Sequence, residues 1–151
     1  MRDALGGTVN VVIIVMFIVI ALGYITFNIR YTKAFRVNDK IVSLYEQYKG
    51  NCLGNSSCAQ QISQYAEDIG YARDNTSNFK CPAGFEKKQQ LYCLKEVPVK
   101  RKKPDGAYVG ETESKYFIII TKTRFTIPIL NKLLDLEVFS VRGSTKTIVV
   151  K

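Results

Sequence analysis

The residues best suited to chemistry in this chain are four cysteines: Cys52, Cys58, Cys81 and Cys93. They are spaced C-x5-C and C-x11-C, with twenty-two residues between the pairs. Thiolates can hold zinc, attack a substrate or join as disulfides. Structural zinc sites usually separate paired cysteines by about 2–4 residues, so these spacings argue against a metal. The chain has no histidine, which removes the commonest metal ligand and general base. An even number of cysteines behind an export-like segment reads as two disulfides rather than four reduced thiols in the cytosol. Three connectivities are open. The pairing Cys52–Cys58 and Cys81–Cys93 is favoured because each bond closes a local loop beside an expected element. Each bridge would contribute about 2–4 kcal/mol to a small core.

Nothing else in the chain assembles a reactive site. There is no glycine-rich phosphate loop and no G-x-S-x-G elbow. The pair Glu67-Asp68 reads as a solvated helix face. No catalytic, cofactor-binding or metal-ligating residues are assigned, and no enzyme is expected. The sharpest charged feature is Lys100-Arg101-Lys102-Lys103, which runs into the turn signal Pro104-Asp105-Gly106. Between two strands, it reads as an exposed basic hairpin loop. With a formal net charge of +9, such a loop would draw a polyanion: DNA, a wall polymer or anionic lipid. Asn55-Ser56-Ser57 and Asn75-Thr76-Ser77 fit the glycosylation pattern, which short sequences match readily by chance.

The elements that must position these residues begin with a membrane-length segment. Val9 to Phe27 reads VNVVIIVMFIVIALGYITF, and no charge occurs from Ala4 to Ile29. A helix needs roughly 20 apolar residues to cross a bilayer. A cleaved signal has a shorter apolar region, of about 7–15 residues. A single-pass anchor is therefore expected over 9–29, after a short leader or tail at 1–8. Beyond Arg30 the pattern becomes amphipathic. Tyr24, Phe27, Tyr31, Ala34, Phe35, Ile41, Val42, Tyr45 and Tyr48 recur at three- and four-residue steps. One helix over about Thr8 to Lys49 follows, with residues 30–49 as its extension and Gly50-Asn51 as its stop.

Residues 50–151 read as an α+β domain carrying the two disulfides. A short helix is expected before Gly70, with Ser57 and Gln60 as a capping box and Ile62, Tyr65, Ala66 and Ile69 as its inner face. Tyr71 to Gln90 is polar and irregular. Strands are expected over Leu91–Val99, Tyr116–Ile127 and Glu137–Val150, with Pro98 at a sheet edge and Gly143 at a bulge or bend. Pro128 and Asn131-Lys132 separate the last two. The two topological signals disagree. Arg30, Lys33, Arg36 and Lys40 follow the apolar run and only Arg2 precedes it, which by charge would put the domain in the cytoplasm. The cysteines outweigh this, and the domain is expected outside.

A seven-residue start, MRDALGG, then an apolar helix that becomes amphipathic, then a small disulfide-bearing sheet resembles the type IV pilin plan. Within it, the chain resembles the TadE-like minor pilins or pseudopilins of tight-adherence systems. The resemblance is carried by GGTVNVVIIVMFIVIALGYITFNIRYTKAFRVNDKI and by the closing IPILNKLLDLEVFSVRGSTKTI, together somewhat under half of the chain. It implies a long membrane-spanning and amphipathic helix, a short second helix and a small antiparallel sheet. It also implies leader cleavage after Gly7 and a structural or assembly role in a bacterial pilus or secretion apparatus. Partners would be the membrane and other pilin-like subunits or assembly proteins. The fifth residue after Gly7 is Val12, and after Gly6 it is Val11, where these families carry glutamate. An assembly or priming component is thus implied rather than a major subunit. Phe27, Tyr31, Phe35, Val42 and Tyr45 form the expected assembly face of the helix. By analogy with pilins, Tyr45 and Tyr48 would serve folding, and Phe27 and Tyr31 would serve assembly.

Overall fold

The structure, a computed structural model, describes residues 2–52, 54–71, 80–99, 114–124 and 138–149. The basic run Lys100–Lys103, the segment with Pro128 and Asn131-Lys132, and the first half of the closing stretch that carries the resemblance lie outside the described residues.

One helix, α1 (Arg2–Gln47), makes up the N-terminal third. It is about 69 Å long at 1.5 Å per residue. Residues 2–8, expected as a leader or tail, are its first two turns. Its C-terminus is closed by a Schellman turn: Gly50 N–H donates to Tyr45 O (2.8 Å) and Lys49 N–H to Glu46 O (3.2 Å). Lys49 and Gly50 both take positive φ, +50° and +80°. Only glycine fits at position 50, because a Cβ there would lie 2.6 Å from the Phe117 ring.

Helix α2 (Ser56–Asp68) follows. Its cap is Asn55, in extended conformation, whose side chain accepts from Ser57 N–H at 3.0 Å. The expected Ser57/Gln60 capping box is therefore displaced: Ser57 is already inside the helix, and the asparagine two residues earlier supplies the acceptor. Cys58, Ile62 and Ala66 form its buried face, with Tyr65 and Ile69 half-buried beside them. Gly70 ends it at φ +71°.

The described strands are β1 (Glu86–Lys88), β2 (Tyr92–Pro98), β3 (Ser114–Arg124), β4 (Val138–Ser144) and β5 (Ile148–Val149). They form an antiparallel sheet in the order β1-β2-β3-β4, with β5 pairing β3 beside β4. The chain thus has the α+β layout expected: long helix, short helix, small antiparallel sheet. β1 lies in the stretch expected to be irregular. A tight turn at Gln89 (φ +50°) and Gln90 (φ +58°) joins it to β2, with Leu91 N–H bonded to Lys88 O. Pro98 sits where β2 no longer has β1 beside it. Val99 N–H points to Ser114 O of β3, so position 98 faces away and its missing N–H costs no ladder bond.

The expected strand over 137–150 is two strands. At the break, Thr145 N–H donates to Phe117 O and its hydroxyl accepts from Phe117 N–H, both at 2.9 Å. Lys146 N–H donates to Glu46 Oε1 of α1 at 2.8 Å. A side chain and a helix carboxylate thus satisfy groups that a continuous ladder would have used.

The second half of α1 packs on β3 and β4, and α2 packs on α1. The core between them holds Ala34, Val37, Ile41, Leu44 and Tyr45 from α1, Ile62 and Ala66 from α2, and Tyr92, Leu94, Phe117, Ile119 and Val141 from the sheet. Because strand side chains alternate, Ile118, Ile120 and Cys93 are buried on the opposite face.

Candidate assembly surface on the long helix

The two halves of α1 live in different surroundings. From Val9 to Ile29 most of its large apolar side chains are exposed, Val19 and Phe27 being half-buried, and only 6% of its most apolar eighteen residues are buried. Within this chain, that stretch is not a core helix. The helix is long and apolar enough to cross a membrane. Thr26 and Asn28, polar residues near the end of this stretch, turn their side chains back onto their own helix. Thr26 Oγ1 donates to Leu22 O and Asn28 Nδ2 to Tyr24 O, each at 2.9 Å. Such bonds satisfy a polar side chain without water or a neighbour.

The five residues expected to form one assembly face separate in the structure. Tyr45 is fully buried, and its hydroxyl lies 3.1 Å from that of Tyr92. Its ring tilts against Phe117. Val42 is half-buried against the core. Phe27 is not reserved for partners, because its ring meets Phe139 of β4 edge-on at 5.0 Å. Tyr31 and Phe35 are 42% and 54% exposed. The separation has a simple cause. The buried face is centred on Ala34, Val37, Asn38, Ile41, Leu44 and Tyr45. The aromatic stripe is rotated from it, so its flank at Tyr31 and Phe35 points outward. Tyr48, expected to serve folding, is half-buried and accepts a bond from Gln61 of α2.

The stripe omitted three buried residues, Val37, Leu44 and Asn38, and the polar one, Asn38, is 4% exposed at the centre of the docked face. Its Nδ2 donates to Val141 O (3.1 Å) and Ile119 O (3.2 Å), with Thr121 Oγ1 at 3.4 Å. The Thr121 hydroxyl donates in turn to Ala34 O at 3.1 Å. One asparagine therefore ties α1 to two strands. Gly143, expected at a bulge, lies in regular β3–β4 pairing opposite Ile119. It is glycine because a Cβ there would collide with Asn38 Oδ1 and lie 3.1 Å from Val42 Cγ2. A polar residue at the helical spacing of a core face, paired with a strand glycine, was the available sequence signal.

The cysteines pair as Cys52–Cys58 and Cys81–Cys93, with Cα atoms 5.3 and 5.7 Å apart. The first bond ties the end of α1 to the start of α2. The second ties the segment before β1 to the start of β2. Gly7, the expected cleavage position, is exposed within the second turn of α1. Among the described residues, no three His, Cys, Asp or Glu side chains come together as a metal site. Two hydroxyls, of Tyr71 and Tyr92, have their pKa pushed well above the usual tyrosine value, mainly because burial strips water from the phenolate. Tyr71 spends its hydroxyl on Lys122 O at 2.7 Å, and Leu91 O lies 3.2 Å away. Both tyrosines join elements, and neither opens to a cleft.

Comparison with protein-family models, with curated proteins and with solved structures finds no match. The surface itself therefore carries the functional reading. It offers an exposed apolar helix in line with a docked one, and a flank of exposed aromatics where the two meet.

Proposed function

We propose that the chain is a non-enzymatic structural or assembly component of a bacterial pilus or secretion apparatus, akin to a TadE-like minor pilin or pseudopilin. In this reading α1 anchors it in the cell membrane as a single pass, and the disulfide-bearing domain lies outside the cytoplasm. It acts by helix packing against other subunits. The observation that carries the reading is the continuity of α1. One uninterrupted helix leaves a bilayer-length apolar segment uncovered and then lies down on an antiparallel sheet. A simple anchor needs about 20 residues. A helix more than twice that length, locked to its own domain, instead holds the domain rigidly relative to its span, as a stacking subunit requires.

Photo-crosslinkers introduced at Tyr31 and Phe35 in the native membrane test this. Both side chains are exposed beside the docked face, so the expected result is capture of small helical membrane proteins from both positions. A folded, inserted protein that captures no helical partner from either position would refute the assembly role. It would leave a solitary anchored module acting on a polyanion.

A further inference from the structure

The uncharged stretch Ala4 to Ile29 is about 39 Å long as a helix, against a hydrocarbon core of about 30 Å. Only part of it can lie in hydrocarbon. We infer that the immersed part runs from Asn10 to Ile29, and that the end of the sheet at Phe139 therefore rests in the headgroup layer of the bilayer. The folded domain then has a lipid-contacting face of its own, at the start of β4. The inference rests on the membrane-anchoring reading above.

Two placements of the span compete. Sliding it toward the N-terminus would bring Leu5, Gly6, Gly7 and Thr8 into hydrocarbon and leave Tyr24, Ile25, Phe27 and Ile29 in water. Tyr24, Ile25 and Ile29 are each more than half exposed, so the chain itself does not cover them. The gain from burial follows apolar area, and two glycines offer almost none. The polar residues of this end do not oppose immersion strongly. Thr26 and Asn28 each spend a donor on their own helix, at Leu22 O and Tyr24 O. Asn10 then stands at one boundary of the core, and Arg30, the first charge, just beyond the other.

The docked half of α1 fixes where the sheet lies relative to that boundary. Three contacts pair α1 with β4 and the residues after it, in the same order along both: Phe27 with Phe139, Asn38 with Val141, and Glu46 with Lys146. β4 therefore climbs beside α1 away from the span, and Phe139 makes the contact nearest the membrane of the three. From Phe27 to Asn38 the helix rises about 16 Å, and from Phe139 to Val141 a strand rises about 7 Å. For an upright helix the backbone at Phe139 is then roughly 10 Å beyond Phe27. Its ring reaches back to within 5.0 Å of the Phe27 ring, centroid to centroid. Ile29 is about 3 Å beyond Phe27, and the headgroup layer is roughly 5–8 Å thick. The ring and the backbone of Phe139 both fall within that layer.

Because α1 is unbroken from the span to its docked half, the depth of the span sets the depth of the sheet end. Tyr31, about 3 Å beyond Ile29 along the axis, is 42% exposed at the same level. Tyrosine is enriched at this boundary, where its ring meets apolar groups and its hydroxyl meets water. The lipid face is thus continuous with the apolar surface of the span.

The chain has no tryptophan, so single tryptophans report depth without background. Tyr24→Trp, Phe139→Trp and Ser140→Trp are made one at a time in the full chain, in phosphatidylcholine vesicles. Fluorescence is quenched by spin labels on the headgroup or midway along the acyl chain, and by aqueous iodide. The headgroup label should quench Phe139→Trp and Ser140→Trp about two-fold more than the acyl label, the two labels lying roughly 10 Å apart in depth. Tyr24→Trp should show the reverse order, about 7–8 Å inside the boundary. Near-UV circular dichroism identifies a variant that fails to fold. If Phe139→Trp misfolds, or is shielded from every quencher by its packing, Ser140→Trp, at an exposed position, decides alone. Quenching of Ser140→Trp by iodide and by no lipid-borne label would overturn the lipid face. Quenching of Tyr24→Trp chiefly by the headgroup label would move the span toward the N-terminus and overturn the placement. A chain that alkaline carbonate strips from the vesicles would overturn the anchoring reading itself, and the lipid face with it.

Discussion

The contact between Asn38 and Gly143 makes a quantitative prediction. Asn38→Ala removes two hydrogen bonds, to Ile119 O and Val141 O, from a site that is almost fully buried. Each such bond contributes about 1 kcal/mol net, and a buried carbonyl left without a partner costs about 1–3 kcal/mol. Some of that loss is offset, because each carbonyl has a second lone pair. The expected cost is about 2–4 kcal/mol. Gly143→Ala acts from the other side. Its new Cβ would strike Asn38 Oδ1 and crowd Val42, and overpacking of this kind costs about 1–3 kcal/mol.

The two costs share one cause, so they should not add. With Asn38 already truncated, the Cβ at 143 enters vacated space. The double variant should therefore be about as stable as Asn38→Ala alone, with a coupling of about 1–2 kcal/mol. The assay is urea unfolding of the full chain in detergent, followed by near-UV circular dichroism. The chain has nine tyrosines and no tryptophan, and three of those tyrosines are buried in the docked core. Additivity of the two substitutions within about 0.5 kcal/mol would refute the reasoning. So would an Asn38→Ala variant as stable as the parent.

Three further outcomes follow from the same structure. Gln90→Gly should raise stability by about 0.5–1 kcal/mol, because Gln90 holds a positive φ that glycine adopts freely while Gln89 keeps its bond to Ala59 O; an unchanged urea midpoint would count against the strained turn. The contribution of the buried tyrosines Tyr71 and Tyr92 to stability should be constant below about pH 10 and fall above it. The unfolded chain releases the tyrosine protons there, while folded Tyr71 and Tyr92, with raised pKa, keep theirs, so the unfolded state binds fewer protons; a midpoint that does not fall on passing through this range would contradict the burial of those hydroxyls. Thiol labelling of the unreduced, denatured protein from native membranes should modify none of the four cysteines, and reduction should cost about 2–3 kcal/mol per bridge on loop-closure grounds; labelling at all four would place the domain in a reducing compartment.

What could be read from the residues, and what could not, divides along one physical line. Apolar burial was legible. The uncharged run, the amphipathic continuation and the Ile- and Thr-rich strand expected at 116–127 each follow from hydropathy and period; the strand is described over Ser114–Arg124, and the other two are one helix. Polar residues used for geometry were not legible. β1 is Glu86-Lys87-Lys88, with no apolar residue to alternate, and its turn is Gln89-Gln90 rather than the Asn-Gly that signals a hairpin. The α2 cap was read at Ser57 because serine and asparagine both cap well, and two candidates stood two residues apart. Thr145 breaks the last strand by bonding Phe117 with its own hydroxyl, which a strand-favouring threonine does not announce. Lys100–Lys103, the most conspicuous charge feature, lies outside the described residues.

Asn38 is the sharpest case, because the omission shifted the functional reading. With Asn38, Val37 and Leu44 left out, the inferred face moved toward Tyr31 and Phe35, which are the exposed flank. Counted as core, Asn38 shows why α1 docks in one register. Apolar faces alone tolerate a slide of one helical turn, since Ala34, Val37, Ile41 and Leu44 repeat at similar spacing. A one-turn slide would carry Asn38 about 5.4 Å along the sheet. It would lose Val141 O and Ile119 O and separate the amide from Gly143. One buried amide opposite one glycine thus selects a single register, as a lone buried asparagine does between paired helices. Because α1 is continuous, that register also sets how far the apolar segment projects from the domain and which of its faces turns outward. A subunit that works by stacking its helix against others needs both quantities fixed. The coupling between positions 38 and 143 is therefore a test of the assembly geometry as well as of stability.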